Sequence, residues 1–329
     1  MSPEVADWVR TDFGLDVTTM DAVTHGADQY AQLWRARAVD GARYAVKLSG
    51  GGTSAGLVVA AYLVGQGVPG IPAPLRTRSG RLWADRDGRR LTVVPWVSDT
   101  RALDGPMTAA HWRSYGEVLA AVHGVPVTDE LARLLPRGGS AYPRIVAATR
   151  AVARRLRDPA PDPVAAELAA VWSAAADQVS LLTRSVERLA ADQRPGTPVV
   201  CHGDPHLGNL LLGPDGQVWL IDWDDAVLAL PECDLMFVTG GVLAFAPVTA
   251  EQRKAVLAGY GGTDVDPTRL AWFLAVRALD DLSDWTRQAL DPGADEAERA
   301  FAGRIVRGLV SADGLVTLAE VALGDLDRR

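Results

Sequence analysis

One segment near the middle of the chain places chemically competent polar side chains at short intervals. Residues 202–209 read HGDPHLGN, and residues 218–225 read VWLIDWDD. Two apolar runs, LLL and VWLID, flank the turn PDG at 214–216, a pattern that predicts a β-hairpin. The hairpin brings together four polar residues just outside its strands, which are His202, Asp204, Asn209 and Asp222.

These side chains have the composition of a phosphoryl-transfer site. Transfer from a magnesium nucleotide needs a proton acceptor and hard oxygen ligands for the cation. We predict that Asp204 is the base and that Asn209 and Asp222 bind Mg²⁺. Asp, Asn, Gly and Pro are also common in turns, but HGDxxxxN followed by IDWD is a compound signal that favours function. His202 is expected to orient the loop through hydrogen bonds to the backbone or to Asp222, since one base suffices.

Two motifs resemble the catalytic and metal-binding loops of the aminoglycoside phosphotransferase family, relatives of the protein kinases: HGDPHLGN and LIDWDDAVLALPECDL. The resemblance covers most of the chain and implies that YAVKL supplies the nucleotide lysine, Lys47, and TVVPWV the hinge. Within the family, IDWDDAVLALPECDLMF, VPGIPAPLRTRSGRLW and RALDDLSDW are most similar to spectinomycin phosphotransferases. Asp234 resembles the family position that braces the catalytic loop, and a helix N-cap is the alternative role.

The elements around these motifs change character near residue 97. Alternating polar and apolar positions at 22–48 predict antiparallel strands. Thr53 or Ser54 is expected to cap a helix that runs to Gln66. Further strands are expected around 81–84 and 91–94, and helices at 107–123, 164–193 and 268–290. With the resemblance, this order predicts an α+β, bilobal, protein-kinase-like fold: residues 1–96 form a nucleotide-binding lobe with a small antiparallel sheet and one helix, and residues 97–329 a larger, mainly helical, catalytic and substrate-binding lobe.

Lys47 also has an argument of its own. It lies in an apolar strand, where an ammonium group is unfavourable unless it reaches an anion such as a nucleotide phosphate. A lysine that extends to solvent is the alternative, and the downstream motif favours the phosphate. Helix 53–66 contains no acidic residue that could pair with Lys47, whereas protein kinases carry a glutamate there. We therefore expect Lys47 to be held differently.

The hinge prediction rests on proline chemistry. Pro95 has a carbonyl acceptor but no N–H, so it can only accept a hydrogen bond from an adenine amino group. The N–H of Val97 would then donate to the adenine, although a simple lobe linker would read the same way. The loop at Gly26–Tyr30 is a weaker candidate for backbone contact with the phosphates, and a plain hairpin turn is its alternative.

An acidic helix face is the first candidate for binding an acceptor. Helix 268–290 is amphipathic, with Asp280, Asp281 and Asp284 opposite an apolar stripe. A solvated helix surface would have the same pattern, but carboxylates could also hold the ammonium groups of an aminocyclitol. Asp224 and Asp225, beside the predicted metal site, are further candidates.

Composition excludes several classes of protein. The chain has 329 residues, 48% of them hydrophobic, so it can bury a core without disulfides. Its net charge of −8 disfavours nucleic acid or an anionic membrane as a partner and suits a cationic small molecule. Cys201 and Cys233 are expected to be buried thiols. The N-terminal segment lacks the pattern of a signal sequence and no apolar run is long enough to span a bilayer, so a cytoplasmic location is expected.

The sequence therefore predicts an ATP-dependent phosphotransferase that acts on a hydroxyl of an aminoglycoside or aminocyclitol antibiotic, with spectinomycin favoured and resistance or self-protection as the role. Two alternatives stay open. One is a metabolic small-molecule kinase of the same fold, acting on choline, homoserine or a sugar amine. The other is a nucleotide-binding pseudoenzyme, which would be expected to lack Asp204, Asn209 or Asp222, although the chain has all three.

Overall fold

The computed structural model describes residues 3–23, 31–50, 53–158, 162–192, 196–241, 246–262 and 265–328. The predicted phosphate-binding loop at Gly26–Tyr30 lies outside these residues. The chain packs as two compact units. The first contains residues 1–135, 202–226 and 255–261, and the second contains 136–201, 227–254 and 262–329. This division differs from the lobes 1–96 and 97–329, whose boundary stays a prediction.

A five-stranded antiparallel sheet forms the N-terminal part of the first unit. Its strands are β1 Val17–Val23, β2 Ala31–Ala38, β3 Arg43–Ser49, β4 Ala84–Arg86 and β5 Arg89–Pro95, in the order β1-β2-β3-β5-β4. Inward-facing residues of β2, β3 and β5 pack with helix α1, Pro3–Phe13, in one apolar core. The strand expected around 81–84 begins only at Ala84, because Thr77 to Arg81 close a turn through the bond from Thr77 N–H to the Arg81 carbonyl.

Helix α2, Ala55–Gly65, is apolar on most of its surface and buries five residues. Ser54 occupies its N-cap position without a side-chain capping bond, while the Thr53 hydroxyl accepts the Ala55 N–H at 3.3 Å. The helix ends before Gly67, which has a φ of +76° that favours glycine. The predicted position of this helix is confirmed.

Helices α3 Ala109–His123 and α4 Asp129–Leu134 follow in the first unit.

Four short strands form two further pairs among the described residues: β6 Val199–Cys201 with β9 Val227–Ala229, and β7 Leu210–Leu212 with β8 Val218–Leu220. The β7–β8 pair is antiparallel around the turn Pro214–Gly216, so the predicted hairpin is confirmed.

The second unit is mainly helical. Its core surrounds the long helix α10, Pro267–Ala289, and the helices that pack against it include α5 Tyr142–Arg155, α7 Ala176–Asp192, α11 Glu296–Leu309 and α12 Leu315–Asp327. The single helix predicted at 164–193 is two helices, because the helical geometry is interrupted at Ala175. Cys201 and Cys233 are buried free thiols, as predicted. The other α-helices are α6 Pro163–Ala174, α8 Glu232–Met236 and α9 Ala250–Tyr260, and residues 255–260 of α9 are counted with the first unit.

Candidate active site

His202 connects the two loops of the site. Its ring is fully buried, and its Nδ1 accepts the backbone N–H of Asp204 at 3.2 Å. The neutral ring therefore carries its proton on Nε2, which lies 2.9 Å from the carbonyl oxygen of Ile221 and donates to it. The ring also packs on Trp223 with a centroid distance of 4.6 Å. These bonds tie the backbone of Asp204 to the residue just before Asp222, the backbone contacts that the sequence predicted.

Asp204, the predicted base, lies in a loop whose backbone comes very close to the backbone of Asp225. A Cβ on Gly203 would lie 2.2 Å from the carbonyl oxygen of Asp225, and Gly203 has a φ of +86°. Only glycine fits both conditions without a shift of the loop. On the other side of Asp204, the Tyr115 hydroxyl donates to the carbonyl of Pro205. The loop is thus held on both sides of the Asp204 carboxylate, which is 17% exposed.

His206 is a second histidine at the site that the sequence analysis did not single out. Its Nδ1 accepts the N–H of Gly208 at 2.9 Å, so the neutral ring carries its proton on Nε2. That nitrogen lies 3.4 Å from Oδ2 of Asp204. The sequence could have indicated this residue, because in HGDPH a second histidine follows the candidate base by two residues. His206 therefore directs an N–H donor toward the predicted base.

Asn209 and Asp222 lie at the open ends of the β7–β8 hairpin. The Ile221 N–H donates to the Asn209 carbonyl at 3.0 Å, which places the two predicted metal ligands at adjacent positions of the pair. The Asn209 side-chain NH₂ donates to the Asp204 carbonyl at 2.9 Å, so its amide oxygen is the atom turned away from that contact. Asp222 has left-handed backbone, with φ 64° and ψ 72°, and a carboxylate that is 49% exposed. One carboxylate and one amide oxygen are donors that suit Mg²⁺.

Lys47 reaches the same hairpin from β3. Its Nζ lies 3.1 Å from Oδ2 of Asp224 and 3.8 Å from Oδ1 of Asp222. The lysine side chain is 28% exposed, so the ion pairs are partly shielded from water. The structure therefore brings together Lys47, Asp222 and Asp224, and the expectation that Lys47 is held without an acid from α2 is met.

The predicted hinge, residues 92–97, begins inside β5 and extends two residues past its end. The Trp96 N–H donates to the Arg43 carbonyl at 2.9 Å, which makes Trp96 and Arg43 a hydrogen-bonded pair. Pro95 and Tyr44 are then a non-hydrogen-bonded pair, so the Pro95 carbonyl points away from β3. Strand β4 pairs with β5 only as far as Leu91 and does not cover that carbonyl. This orientation suits an adenine contact, and the roles of Pro95 and Val97 stay predictions.

Asp99 fixes the chain just beyond the hinge. It accepts hydrogen bonds from Arg43, Arg35 and the Trp96 indole, at 2.6, 3.1 and 2.8 Å. The hydrogen bond from Arg43 is the main reason that the pKa of Asp99 lies below its usual value.

The acidic face of α10 belongs to the second unit, and two of its three carboxylates contact arginines of their own helix. Asp281 pairs with Arg277 at 2.8 Å, and Asp284 pairs with Arg287. Asp280 is exposed, yet partial desolvation, and then the neighbouring Asp281, raise the pKa of its carboxyl. Acceptor binding by Asp280, Asp281 and Asp284 stays a prediction, as it does for Asp224 and Asp225.

Asp234 lies within α8 and is fully buried. The helix N-cap position is held by Pro231, so the alternative that Asp234 caps this helix is wrong. Pro231 has no side-chain acceptor and makes no capping bond there. The bracing role that the resemblance implies for Asp234 stays a prediction.

The fold and the site together define a phosphotransferase of the kinase-like type, and the comparisons agree. The chain belongs to the phosphotransferase enzyme family, whose model matches residues 22–273. This match covers most of the chain and confirms both the family resemblance and the prediction of a phosphotransferase enzyme.

Solved structures show the same fold. The spectinomycin phosphotransferase APH(9)-Ia in complex with ADP and spectinomycin is similar with a TM-score of 0.88 and 23% identity, over 97% of this chain and 98% of that one. Its AMP-bound complex has a TM-score of 0.84 at 22% identity, over 96% and 97% of the two chains. The macrolide 2'-phosphotransferase MphH from Brachybacterium faecium has a TM-score of 0.56 at 20% identity, over 91% and 95%. The predicted α+β kinase-like fold is confirmed.

Within the described residues, no helix combines the length and the apolar character that crossing a bilayer requires.

Proposed function

We propose that the protein transfers the terminal phosphate of ATP to a hydroxyl group of an aminoglycoside or aminocyclitol antibiotic, with spectinomycin as the favoured acceptor. The observation that carries this proposal is the convergence of Lys47 with Asp222 on the hairpin that also carries Asn209, tied by His202 to the loop of Asp204. The structural similarity to a spectinomycin complex supports the choice of acceptor.

In the proposed mechanism the nucleotide binds between the hinge and Lys47. The Pro95 carbonyl and the Val97 N–H hold the adenine, and the Lys47 ammonium binds phosphate oxygens. Asn209 and Asp222 would hold Mg²⁺, which when bound neutralises charge on the phosphates. These residues position the terminal phosphate for in-line attack.

Asp204 accepts the proton of the acceptor hydroxyl and orients its oxygen toward the phosphate. His206 Nε2 lies 3.4 Å from Oδ2 of this carboxylate, while Oδ1 is buried, so Oδ2 is the oxygen that the acceptor hydroxyl would reach. No covalent enzyme intermediate is required, because attack by the hydroxyl oxygen and loss of ADP complete the transfer.

The decisive experiment incubates the protein with MgATP and a panel of aminoglycosides and aminocyclitols, followed by mass spectrometry and NMR to locate the phosphate. The panel includes choline, homoserine and sugar amines, which are acceptors of the alternative metabolic kinases. Phosphorylated spectinomycin, absent with Asp204→Asn, is the expected result. Phosphorylation of only a metabolic amine would move the assignment to that class, and nucleotide binding without transfer to any acceptor would favour a pseudoenzyme.

If the proposal holds, expression of the gene protects a sensitive bacterium against spectinomycin, and Asp204→Asn removes the protection. This result would assign the role of resistance or self-protection that the sequence predicts.

A further inference from the structure

Helix α2 cannot supply the anion that holds Lys47. Its sequence, AGLVVAAYLVG, contains no acidic residue. A lysine side chain has four rotatable bonds and loses rotamer entropy when it is fixed. A fixed anion beside Nζ reduces the number of positions that this ammonium group samples. The anion must therefore come from another element.

Asp224 occupies that position. Its Oδ2 lies 3.1 Å from Lys47 Nζ, a hydrogen-bonded ion pair, whereas the Asp222 carboxylate lies at 3.8 Å. Asp224 belongs to the short 3₁₀ turn Trp223–Asp225, directly after the predicted metal ligand. The pair therefore joins β3 to the loop that carries Asp222.

Helix α2 lies against that turn through a glycine. A Cβ on Gly56 would lie 2.4 Å from the Trp223 carbonyl oxygen and 3.0 Å from the Asp224 nitrogen. The absence of a side chain at position 56 lets the helix and the turn touch through their backbones. This second observation is independent of charge and explains how the Asp224 carboxylate comes within reach of β3.

We propose that Asp224 is the positioning residue of the nucleotide lysine: through the Gly56 contact, the turn after Asp222 supplies the carboxylate that α2 lacks. The inference rests on the proposed function. An ammonium group has three N–H donors, so Lys47 can keep Asp224 and bind phosphate oxygens at the same time. Asp224 then acts on the nucleotide side of the reaction, and an ammonium group of the acceptor binds elsewhere.

The test compares Asp224→Asn, which keeps the shape of the side chain and removes its charge, with Asp215→Asn as a control. Asp215 is an exposed residue of the β7–β8 turn with a φ of 58°, a conformation that asparagine tolerates. We expect Asp224→Asn to lower kcat/KM for ATP about ten-fold or more, the usual effect of losing a charged hydrogen bond, with the KM of the acceptor unchanged. Asp215→Asn should match the wild type.

A double-mutant cycle with Lys47→Met separates positioning from other roles of Asp224. If Asp224 acts through the lysine, Asp224→Asn changes kcat/KM little in the Lys47→Met background. An undiminished effect in that background would overturn the inference and make Asp224 a metal or substrate ligand in its own right. An increase in kcat/KM for ATP in the single variant would also overturn it, since Asp224 would then hold Lys47 away from the nucleotide.

Titration with MgADP keeps this test separate from the acceptor assignment. Wild-type protein that binds MgADP, with weaker binding in Asp224→Asn, supports the inference whichever acceptor is phosphorylated. Equal MgADP affinity of the two proteins contradicts the inference and leaves the proposed function standing. Wild-type protein that does not bind MgADP overturns both.

Discussion

Replacing glycine by alanine should have opposite consequences at two positions of α2. Gly56 and Gly65 both lie in this helix, where alanine is favoured over glycine by up to about 1 kcal/mol. A Cβ at Gly65 would meet no atom within 4 Å, whereas at Gly56 it would lie 2.4 Å from the Trp223 carbonyl oxygen. Overpacking of this kind costs about 1–3 kcal/mol. Gly56→Ala should therefore be less stable than Gly65→Ala by about 1–3 kcal/mol.

The assay is urea unfolding of both variants and the wild type, followed by circular dichroism at one temperature. Gly65→Ala measures the helix-propensity gain alone, so the difference between the variants isolates the contact with Trp223. Because the turn at 223–225 must move away from α2, Gly56→Ala should also lower kcat/KM for ATP, and Gly65→Ala should not. Equal stability and equal kcat/KM of the two variants would refute the close approach of helix and turn.

Four further predictions concern the site and the hinge. Asp204→Asn should keep nucleotide binding but lower kcat by about two to four orders of magnitude, as loss of a general base does; near-normal turnover would remove Asp204 from that role. Asp222→Ala should abolish magnesium-dependent nucleotide binding, because the cation loses its charged oxygen ligand, and calorimetry with unchanged MgATP affinity would contradict this. Asp280→Asn, Asp281→Asn or Asp284→Asn should raise the acceptor KM with little effect on the KM of ATP, because each lost charged hydrogen bond costs about 1.5–3 kcal/mol of binding free energy. If all three variants keep the wild-type acceptor KM, this face is only a solvated surface. The pKa of Asp99 is lower in the folded protein than in the unfolded chain, so the stabilisation from its carboxylate is complete above the unfolded pKa and is lost as the pH falls through the folded pKa. The difference in unfolding free energy between wild type and Asp99→Asn should therefore shrink on acidification. A difference that stays constant with pH would count against this contribution.

The hairpin and its polar residues were predictable because their signals are local. The turn PDG at 214–216 and the flanking apolar runs specify β7 and β8 without reference to the rest of the chain. The helix after Ser54 and the long helix α10 follow from caps and periodicity in the same way. Local sequence signals did not predict the interruption at Ala175, where an alanine-rich stretch with no glycine or proline is divided into α6 and α7. Helix propensity does not forbid such a break, and packing in the second unit decides it.

By itself, the sequence predicted the chemistry of the site, because a carboxylate and an amide in HGDxxxxN and a second carboxylate in IDWD are the side-chain types that phosphoryl transfer requires. The tertiary structure alone decided what Lys47 pairs with. Asp224 is 177 residues away along the chain, and its contact with Lys47 depends on a helix and a turn that meet at Gly56. Only the structure shows that the His206 ring directs an N–H toward Asp204, because the hydrogen bond from the Gly208 N–H to Nδ1 leaves the ring proton on Nε2. Distances between elements are set by packing, and no spacing in the sequence encodes them.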